Sequence, residues 1–392
     1  MKRMRVLLIH NRYLQPGGED IVFEAEKSLL ERYGHEVITF MEDNSRLRKI
    51  NPLKIVVNAI WSMETQRKIR KLIEEKKPNV VHFHNTFLKI SPAAYYAVKE
   101  KRIPVVQTLH NYRIICPGSL LMRNGHVCED CLRRVVPWRG VVCGCWRNSR
   151  MGTAVVTAMI TFHRLIGTWT KQVDMYIALT KFARQKFIEG GLPAEKIMVK
   201  PNFVYPDPGP GEGGGRFALF VGRLSPEKGI KTLLNAWSLL SNKVPLKIVG
   251  TGPLIRDVEN IVKKLPSVEW LGWRSREEIY TFMKRADFLV FPSECYEGFP
   301  MTLVEAFACG LPVIASRLGA MTEIVEEGRT GLLFDPKNFE DLAAKIEWAW
   351  MHPKEMEEMG QEARKEYEMK YTEERNYKIL MSIYQKALRM FY

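Results

Sequence analysis

Residues Asp287–Ser316 read DFLVFPSECYEGFPMTLVEAFACGLPVIAS. FLVFPS is a continuous apolar run of strand length, and PVIAS is a second. Between them SECYEG is a loop, Pro300 suits the first turn of a helix, and Gly310 is a natural helix stop. The segment therefore reads strand, loop, helix, strand. Glu297 falls in the loop and Glu305 on the second helical turn, so the two acids do not share one helical face. Paired carboxylates raise a general acid and base, yet an E-x7-E spacing also arises by chance from two solvated glutamates. The free N–H groups and positive dipole end of the helix between them suit an anion. A carboxylate at Glu305 can accept two hydrogen bonds from a vicinal diol such as a ribose, and Glu297 would point at whatever that anion carries.

The same alternation runs through the chain. RVLLIH, HEVITF, VVHFH, PVVQTLH and MYIALT are short apolar strands separated by helical stretches, the first helix from about Ile21 to Tyr33. The pattern breaks near Asn202, and PDPGPGEGGG (Pro206–Gly215) can hold neither helix nor strand. It then restarts with FALFVG, a helix from about Lys228, PLKIVG, VEWLG, DFLVFPS, PVIAS and TGLLF. Continuous apolar strands alternating with helices imply α/β architecture with parallel sheets covered on both faces. The expected domains are residues 1–205, a linker at 206–215, residues 216–370, and a final amphipathic helix at 371–392 that crosses back to the first domain. Two Rossmann-like halves would face a cleft between the carboxyl ends of their strands.

Composition narrows the classes. The 392 residues suffice for two cores, and 46% hydrophobic with 26% charged residues is ordinary for a globular protein. A net charge of +15 favours an anionic partner: nucleotide phosphates, anionic lipid or nucleic acid. The basic start MKRMRVLLIHN lacks the long apolar run and cleavage site of an export signal. The apolar stretch Met151–Phe162 falls well short of the roughly 20 residues that span a bilayer. Seven cysteines without an export signal point to a reducing, cytoplasmic setting.

Three loops after strands carry glycines or cations. In PGGED, Gly17 and Gly18 let backbone N–H groups approach a ligand before a helix, although a lone glycine pair is more often a tight turn. In VGRLSPEKG (Val221–Gly229), Arg223 and Lys228 follow Gly222 and could grip a diphosphate from two sides; taken alone, the loop is equally a solvated basic one. VGTGP places Gly250 at a third such turn.

In combination, GRLSPEKG followed by EGFPMTLVEAFACGLPVIAS resembles the donor-binding half of family 4 of the retaining glycosyltransferases, whose GT-B fold has two Rossmann-like domains. PGGE, GHEV, VVHFHN, TLH at His110, VGTGP, WLGW and the E-x7-E fall in the family's order over nearly the whole chain. The resemblance implies that Arg223 and Lys228 bind the donor diphosphate and stabilise its charge as it leaves. Glu305 would hold the ribose, and Glu297 with the backbone of Gly298, Phe299 and Pro300 would hold the transferred sugar. Gly17, Gly18, Gly222 and Gly250 would approach the donor, and His110 would sit near the reacting centre. UDP is the favoured carrier on family frequency. The resemblance further implies retention by same-face attack, with no enzyme nucleophile, no catalytic cofactor and no catalytic metal. The acceptor would be a saccharide or lipid-linked saccharide of the cell surface.

Two departures bear on the acceptor side: Asn111 follows TLH where the family often has an acid, and PNFVYP follows Lys200 in place of a glycine and an acid. A cysteine-rich insert at about 113–150 holds five of the seven cysteines, with C-x2-C at Cys128 and Cys131 and C-x-C at Cys143 and Cys145. Such knuckles can make a four-thiolate zinc site; buried free thiols packed by Trp138 and Trp146 are the alternative, with a redox role behind both. A related insert in a subgroup of the family singles out Cys116, Cys128, Cys131 and Cys145 as ligands of a structural zinc. His82 and His84 share one strand face, as strand-end histidines lining the cleft rather than a metal pair. Ser45–Lys77 has ten Lys or Arg against three Glu, interleaved with apolar residues and Trp61. It reads as a solvated helix face or as a docking surface for anionic lipid, to which Trp169 would add. Two rival functions stand beside the transferase: a basic zinc-knuckle protein binding nucleic acid, and a nucleotide-sugar epimerase on the same architecture. The first is disfavoured because the basic residues spread over both halves while the phosphate-type loops converge.

Overall fold

A computed structural model describes residues 3–13, 17–45 and 51–391. The chain divides into two compact units: Met1–Leu121, Cys128–Asn202 and Asn376–Tyr392 form one, and Met122–Val127 with Phe203–Arg375 the other.

The first unit contains β1 (Arg5–Arg12), β2 (Glu36–Asp43), β3 (Val80–Asn85) and β4 (Val105–Leu109). The insert adds a small antiparallel hairpin, β5 (Met122–Arg123) and β6 (His126–Val127), which groups with the second unit. β7 (Met175–Ala178) and β8 (Ile197–Val199) complete the first sheet in the order β2-β1-β3-β4-β7-β8. All its neighbours pair in parallel. β3, β4 and β7 are buried along their whole length, which is why they read as unbroken apolar runs.

The second unit has β9 (Ala218–Val221), β10 (Leu246–Val249), β11 (Val268–Gly272), β12 (Phe288–Phe291), β13 (Val313–Ser316) and β14 (Gly331–Phe334). They form a parallel sheet in the order β11-β10-β9-β12-β13-β14. Side chains alternate between two cores. Leu219, Leu289, Phe291, Val313 and Ala315 pack with Leu303 and Phe307 of the helix Met301–Ala308. Ala218, Phe220, Ile248, Val290 and Ile314 pack on the other face with Leu233 and Trp237 of the helix Ile230–Leu239.

The expected strands are present; β1, β2 and β3 run past their expected ends to Arg12, Asp43 and Asn85, β11 matches VEWLG, and the others are trimmed. The first helix spans Gly18–Arg32, and the final one Glu373–Phe391, of which Asn376 onward belongs to the first unit. Two details differ from expectation. The helix after VGRLSPEKG starts at Ile230, because Gly229 is left-handed (φ 68°) behind a short 3-10 turn at Pro226–Lys228. Pro300 caps its helix in extended conformation rather than lying within the first turn. No helix among the described residues is long and apolar enough to cross a membrane.

Candidate functional site

In an open parallel sheet, ligands collect outside the carboxyl ends of the strands where the order reverses. In the second unit that point lies between β9 and β12. The loops that leave it are held by backbone contacts only glycine permits. A Cβ on Gly229 would meet the Pro292 carbonyl oxygen at 1.8 Å, and one on Gly250 would meet that of Gly222 at 1.9 Å. The two loops are thereby locked together, with Lys228 after β9 facing Glu297 after β12.

Lys228 Nζ lies 2.7 Å from Glu297 Oε1, and the Ser293 hydroxyl donates to the same oxygen at 2.6 Å. Burial works against the lysine's charge, but Glu297 outweighs it and holds the ammonium above its ordinary value. Glu297 Oε2 has no partner among the described residues. Arg223, by contrast, is exposed and makes no side-chain hydrogen bond or ion pair among the described residues. The two cations of this loop therefore differ: one is anchored, the other extends into solvent. Beyond Glu297, the N–H groups of Gly298, Phe299, Met301 and Thr302 donate to nothing among the described residues, so the helix start presents unpaired donors.

Glu305 lies on that helix near the Arg276 guanidinium and the Tyr280 hydroxyl, each at 3.5 Å. Burial, which Arg276 only partly offsets, raises its carboxyl above the ordinary 4.5. Glu297 and Glu305 thus answer to different partners, and nothing joins them as an acid–base pair.

In the first unit the order reverses between β1 and β3. Leu14–Pro16 of the first loop lie outside the described residues. Gly17 caps the helix Gly18–Arg32 in extended conformation, and its N–H donates to Asp20 Oδ2 at 2.9 Å. A Cβ on Gly17 would fall 2.5 Å from Glu19 Oε2, whereas Gly18 has open space around it. Asp20 in turn sits 2.7 Å from His10 Nε2 of β1.

Beside this lies a buried polar cluster that sequence reading captured only in part. Glu26, His82 and Lys200 are fully buried, and His84 nearly so. Lys200 Nζ is 2.9 Å from Glu26 Oε2 and 3.2 Å from Asn376 Oδ1. His82 Nδ1 lies 2.9 Å from Glu26 Oε1, and 2.8 Å from the Tyr384 hydroxyl. Burial alone would raise the Glu26 carboxyl; Lys200 and the histidines together hold it well below 4.5. Glu26, His82 and His84 place ligand-type atoms within 4.8 Å of one another, but Lys200 already supplies the positive charge. His82 does not line an open face as expected: it is clasped between Tyr384 and Thr108. His84 Nδ1 meets His110 Nε2 at 3.0 Å, the rings stacked 5.2 Å apart. Burial, then neighbouring His82, pushes His84 down to about 3, and burial with His84 holds His110 well below 6.5. His84, Asn85, Gln107, His110, Asn111 and Arg113 border a small cavity of about 30 Å³. Asn111 there accepts from the Arg113 N–H at 3.0 Å.

Glu26 had a sequence signature: with Val22, Phe23, Leu29 and Leu30 it lies on the helix's apolar stripe, where an acid needs a buried partner. Ser293, Arg276, Tyr280 and Lys200 had none.

All seven cysteines are free thiols. Burial and mutual proximity raise Cys131 and Cys145 to about 11, with Cys116 and Cys128 among the charges each feels. No three cysteine sulfurs among the described residues gather within 4.8 Å, so a tetrathiolate, with Zn–S bonds of about 2.3 Å, would require them to draw together. Cys143 is exposed. Trp138 is exposed too, while Trp146 stands edge-on to Phe87. Trp169 is 4% exposed, so it offers nothing to a lipid surface; burial overturns that expectation. Trp61 is stacked on His163. Arg46–Ile50 of the basic stretch lie outside the described residues.

Two family profiles tile the chain, Glycosyltransferase Family 4 over residues 17–207 and Glycosyl transferases group 1 over 208–366. The chain belongs to this family. An uncharacterized glycosyltransferase of Methanocaldococcus jannaschii is 43% identical over 34% of this chain and 38% of its own. The sulfoquinovosyl transferase of Arabidopsis thaliana is 24% identical over 91% of this chain and 65% of its own. The alignments thus span less than two thirds of either relative. Among solved structures, HepE of Anabaena in complex with UDP matches with a TM-score of 0.69 and 19% identity, over 97% of this chain and 99% of its own. The fold is GT-B.

Proposed function

We propose that this glycosyltransferase moves a sugar from a nucleoside-diphosphate sugar to a saccharide or lipid-linked saccharide acceptor, with retention, in the building of cell-surface polysaccharide or glycolipid. The observation that carries the reading is the Lys228–Glu297 pair at the strand-order reversal of the second unit, next to unpaired N–H groups. A leaving diphosphate gathers negative charge. Lys228, Arg223 and the helix start at Met301 offer positive charge to it without a metal ion. Glu297 keeps one carboxylate oxygen for hydroxyls of the sugar, because the other is committed to Lys228 and Ser293; tied in this way, it is an unsuited nucleophile. Retention then follows from attack on the face the diphosphate leaves, with that diphosphate taking the acceptor's proton. Glu305 holds the ribose diol. Gly18, with free space over its backbone, is assigned to the donor, and His110 to the sugar.

UDP is the favoured nucleotide, supported by the UDP complex of HepE. Screening UDP- and GDP-sugars for hydrolysis and for thermal stabilisation tests this, followed by acceptor trials with the donor found. Salt-dependent binding to random DNA or RNA with no response to any donor would favour the nucleic-acid reading, and isomerised sugar without transfer would favour the epimerase.

Two accessory properties belong to the same reading. Cys116, Cys128, Cys131 and Cys145 would hold a structural zinc that orders the insert, for which elemental analysis finding no metal would be decisive. The helices Pro52–Ile60 and Arg150–Leu165, which pack together and expose Leu53, Val57, Phe162 and Leu165 beside Lys54, form the surface proposed to rest on anionic lipid. Unchanged sedimentation with phosphatidylglycerol vesicles after Leu53→Glu and Leu165→Glu would remove that surface from the account.

A further inference from the structure

Between the buried carboxylate of Glu26 and the half-buried ring of His110 runs an oriented series of polar atoms. His84 Nε2 is buried without a hydrogen-bond partner among the described residues and lies 3.4 Å from Glu26 Oε1, an oxygen that also stands 2.9 Å from His82 Nδ1. An ionised carboxylate can only accept, so His84 Nε2 is the nitrogen that bears hydrogen. A neutral imidazole has one such hydrogen, which leaves His84 Nδ1 as a lone pair. That lone pair lies 3.0 Å from His110 Nε2, which must therefore donate. The remaining nitrogen, His110 Nδ1, is then bare, and it makes no hydrogen bond among the described residues.

The far end of the series is fixed. Lys200 compensates the carboxylate charge, Asn376 holds Lys200, and His82 is pinned by Tyr384 and Thr108. The sheet supplies the spacing: His82 and His84 are two residues apart on β3 and share a face, and His110 follows the neighbouring β4.

We propose that Glu26 and His84 are positioning residues that fix the tautomer of His110, so that its Nδ1 presents a hydrogen-bond acceptor to a hydroxyl of the bound sugar. The inference rests on the reading of His110 as a residue that meets the sugar. A bare ring nitrogen accepts from an O–H and repels a phosphate or carboxylate oxygen. His110 is therefore a reader of hydroxyls, a different task from the diphosphate grip assigned to Lys228.

The test is the ring-nitrogen spectrum of the full-length protein labelled with 15N-histidine, recorded near pH 7. There are eight histidines, and the loss of one set of signals in His110→Gln assigns the ring. The expected spectrum is a neutral His110 with hydrogen on Nε2 and none on Nδ1. Hydrogen on Nδ1, or on both nitrogens, overturns the proposal. In His84→Phe the donor–acceptor polarity is lost, and His110 should shift to a mixture of tautomers; Glu26→Gln should weaken the bias in the same direction. An unchanged tautomer in folded His84→Phe also overturns it, and if that variant does not fold, the parent spectrum decides by itself. With an active donor in hand, either variant should raise donor KM roughly tenfold with a smaller change in kcat, the mark of a lost contact to the bound sugar. The tautomer is measured without substrate. A protein that turns over no nucleotide sugar would therefore refute the functional reading while leaving the ring polarity determined.

Discussion

Replacing Lys228 by methionine keeps most of the length of the side chain and deletes its charge. In the fold the ammonium is 2.7 Å from Glu297 Oε1, with 26% of the lysine side chain and 13% of the glutamate exposed. Such a pair lies between exposed pairs, worth about 0–1 kcal/mol, and buried ones, where removing one partner costs about 3–5 kcal/mol. Glu297 would keep its Ser293 bond and reach water through its other oxygen, so a loss of about 1–2 kcal/mol is expected, a Tm lower by roughly 3–6 °C. The effect on chemistry should be larger. A charged donor aimed at a leaving group contributes on the order of 10²–10³ in kcat, about 2.7–4 kcal/mol. The assay is sugar transfer or donor hydrolysis at a temperature where Lys228→Met remains folded by circular dichroism. A fall of about a hundredfold or more in kcat/KM beside the small Tm shift would support the role given to Lys228. Turnover within threefold of the parent, roughly 0.7 kcal/mol, would refute the reasoning, because the anchored lysine would then be a structural partner of Glu297 and nothing more.

Three further outcomes are expected. Glu305→Gln weakens acceptance from the ribose diol, so donor KM should rise roughly tenfold or more with kcat nearly unchanged; an unchanged KM would move the ribose elsewhere. Gly229→Ala places a Cβ 1.8 Å from the Pro292 carbonyl oxygen at a φ of 68°, which should cost at least about 3 kcal/mol in thermal or urea unfolding, and a variant of parental stability would contradict the locked loops. The fold keeps His84 and His163 neutral, burial having pushed them from 6.5 to about 3 and about 4. Unfolded, both take up protons near pH 6.5, so their stability contribution is complete above that pH and declines on acidification, by up to about 1.4 kcal/mol per pH unit each. A Tm flat between about pH 7 and 5 would contradict their neutral burial.

The fold was legible because fully buried parallel strands leave unbroken apolar runs. β8, only Ile197–Val199, and the two-residue strands of the insert hairpin are too short to leave such a trace. The delayed helix after Lys228 was missed because the left-handed turn at Gly229 answers to the Pro292 carbonyl, a neighbour 63 residues away in number that local propensity does not register. At the candidate site, glycine loops, the carboxylate spacing and the histidines stood out because they follow strands. Their partners did not. Lys200 follows the short β8 and is wholly buried; Arg276 and Tyr280 meet Glu305 only through the tertiary fold. Trp169 shows the converse, an aromatic next to an apolar segment that suggested a surface and belongs to the core.

The central claim is that the reversal point of the second unit holds a nucleoside diphosphate. Isothermal titration of UDP and GDP into the full-length protein measures it directly. One nucleotide bound per chain, weakened by added salt and by Lys228→Met, is the predicted result. No heat from either nucleotide at millimolar concentration, or binding that Lys228→Met leaves unchanged, would contradict it.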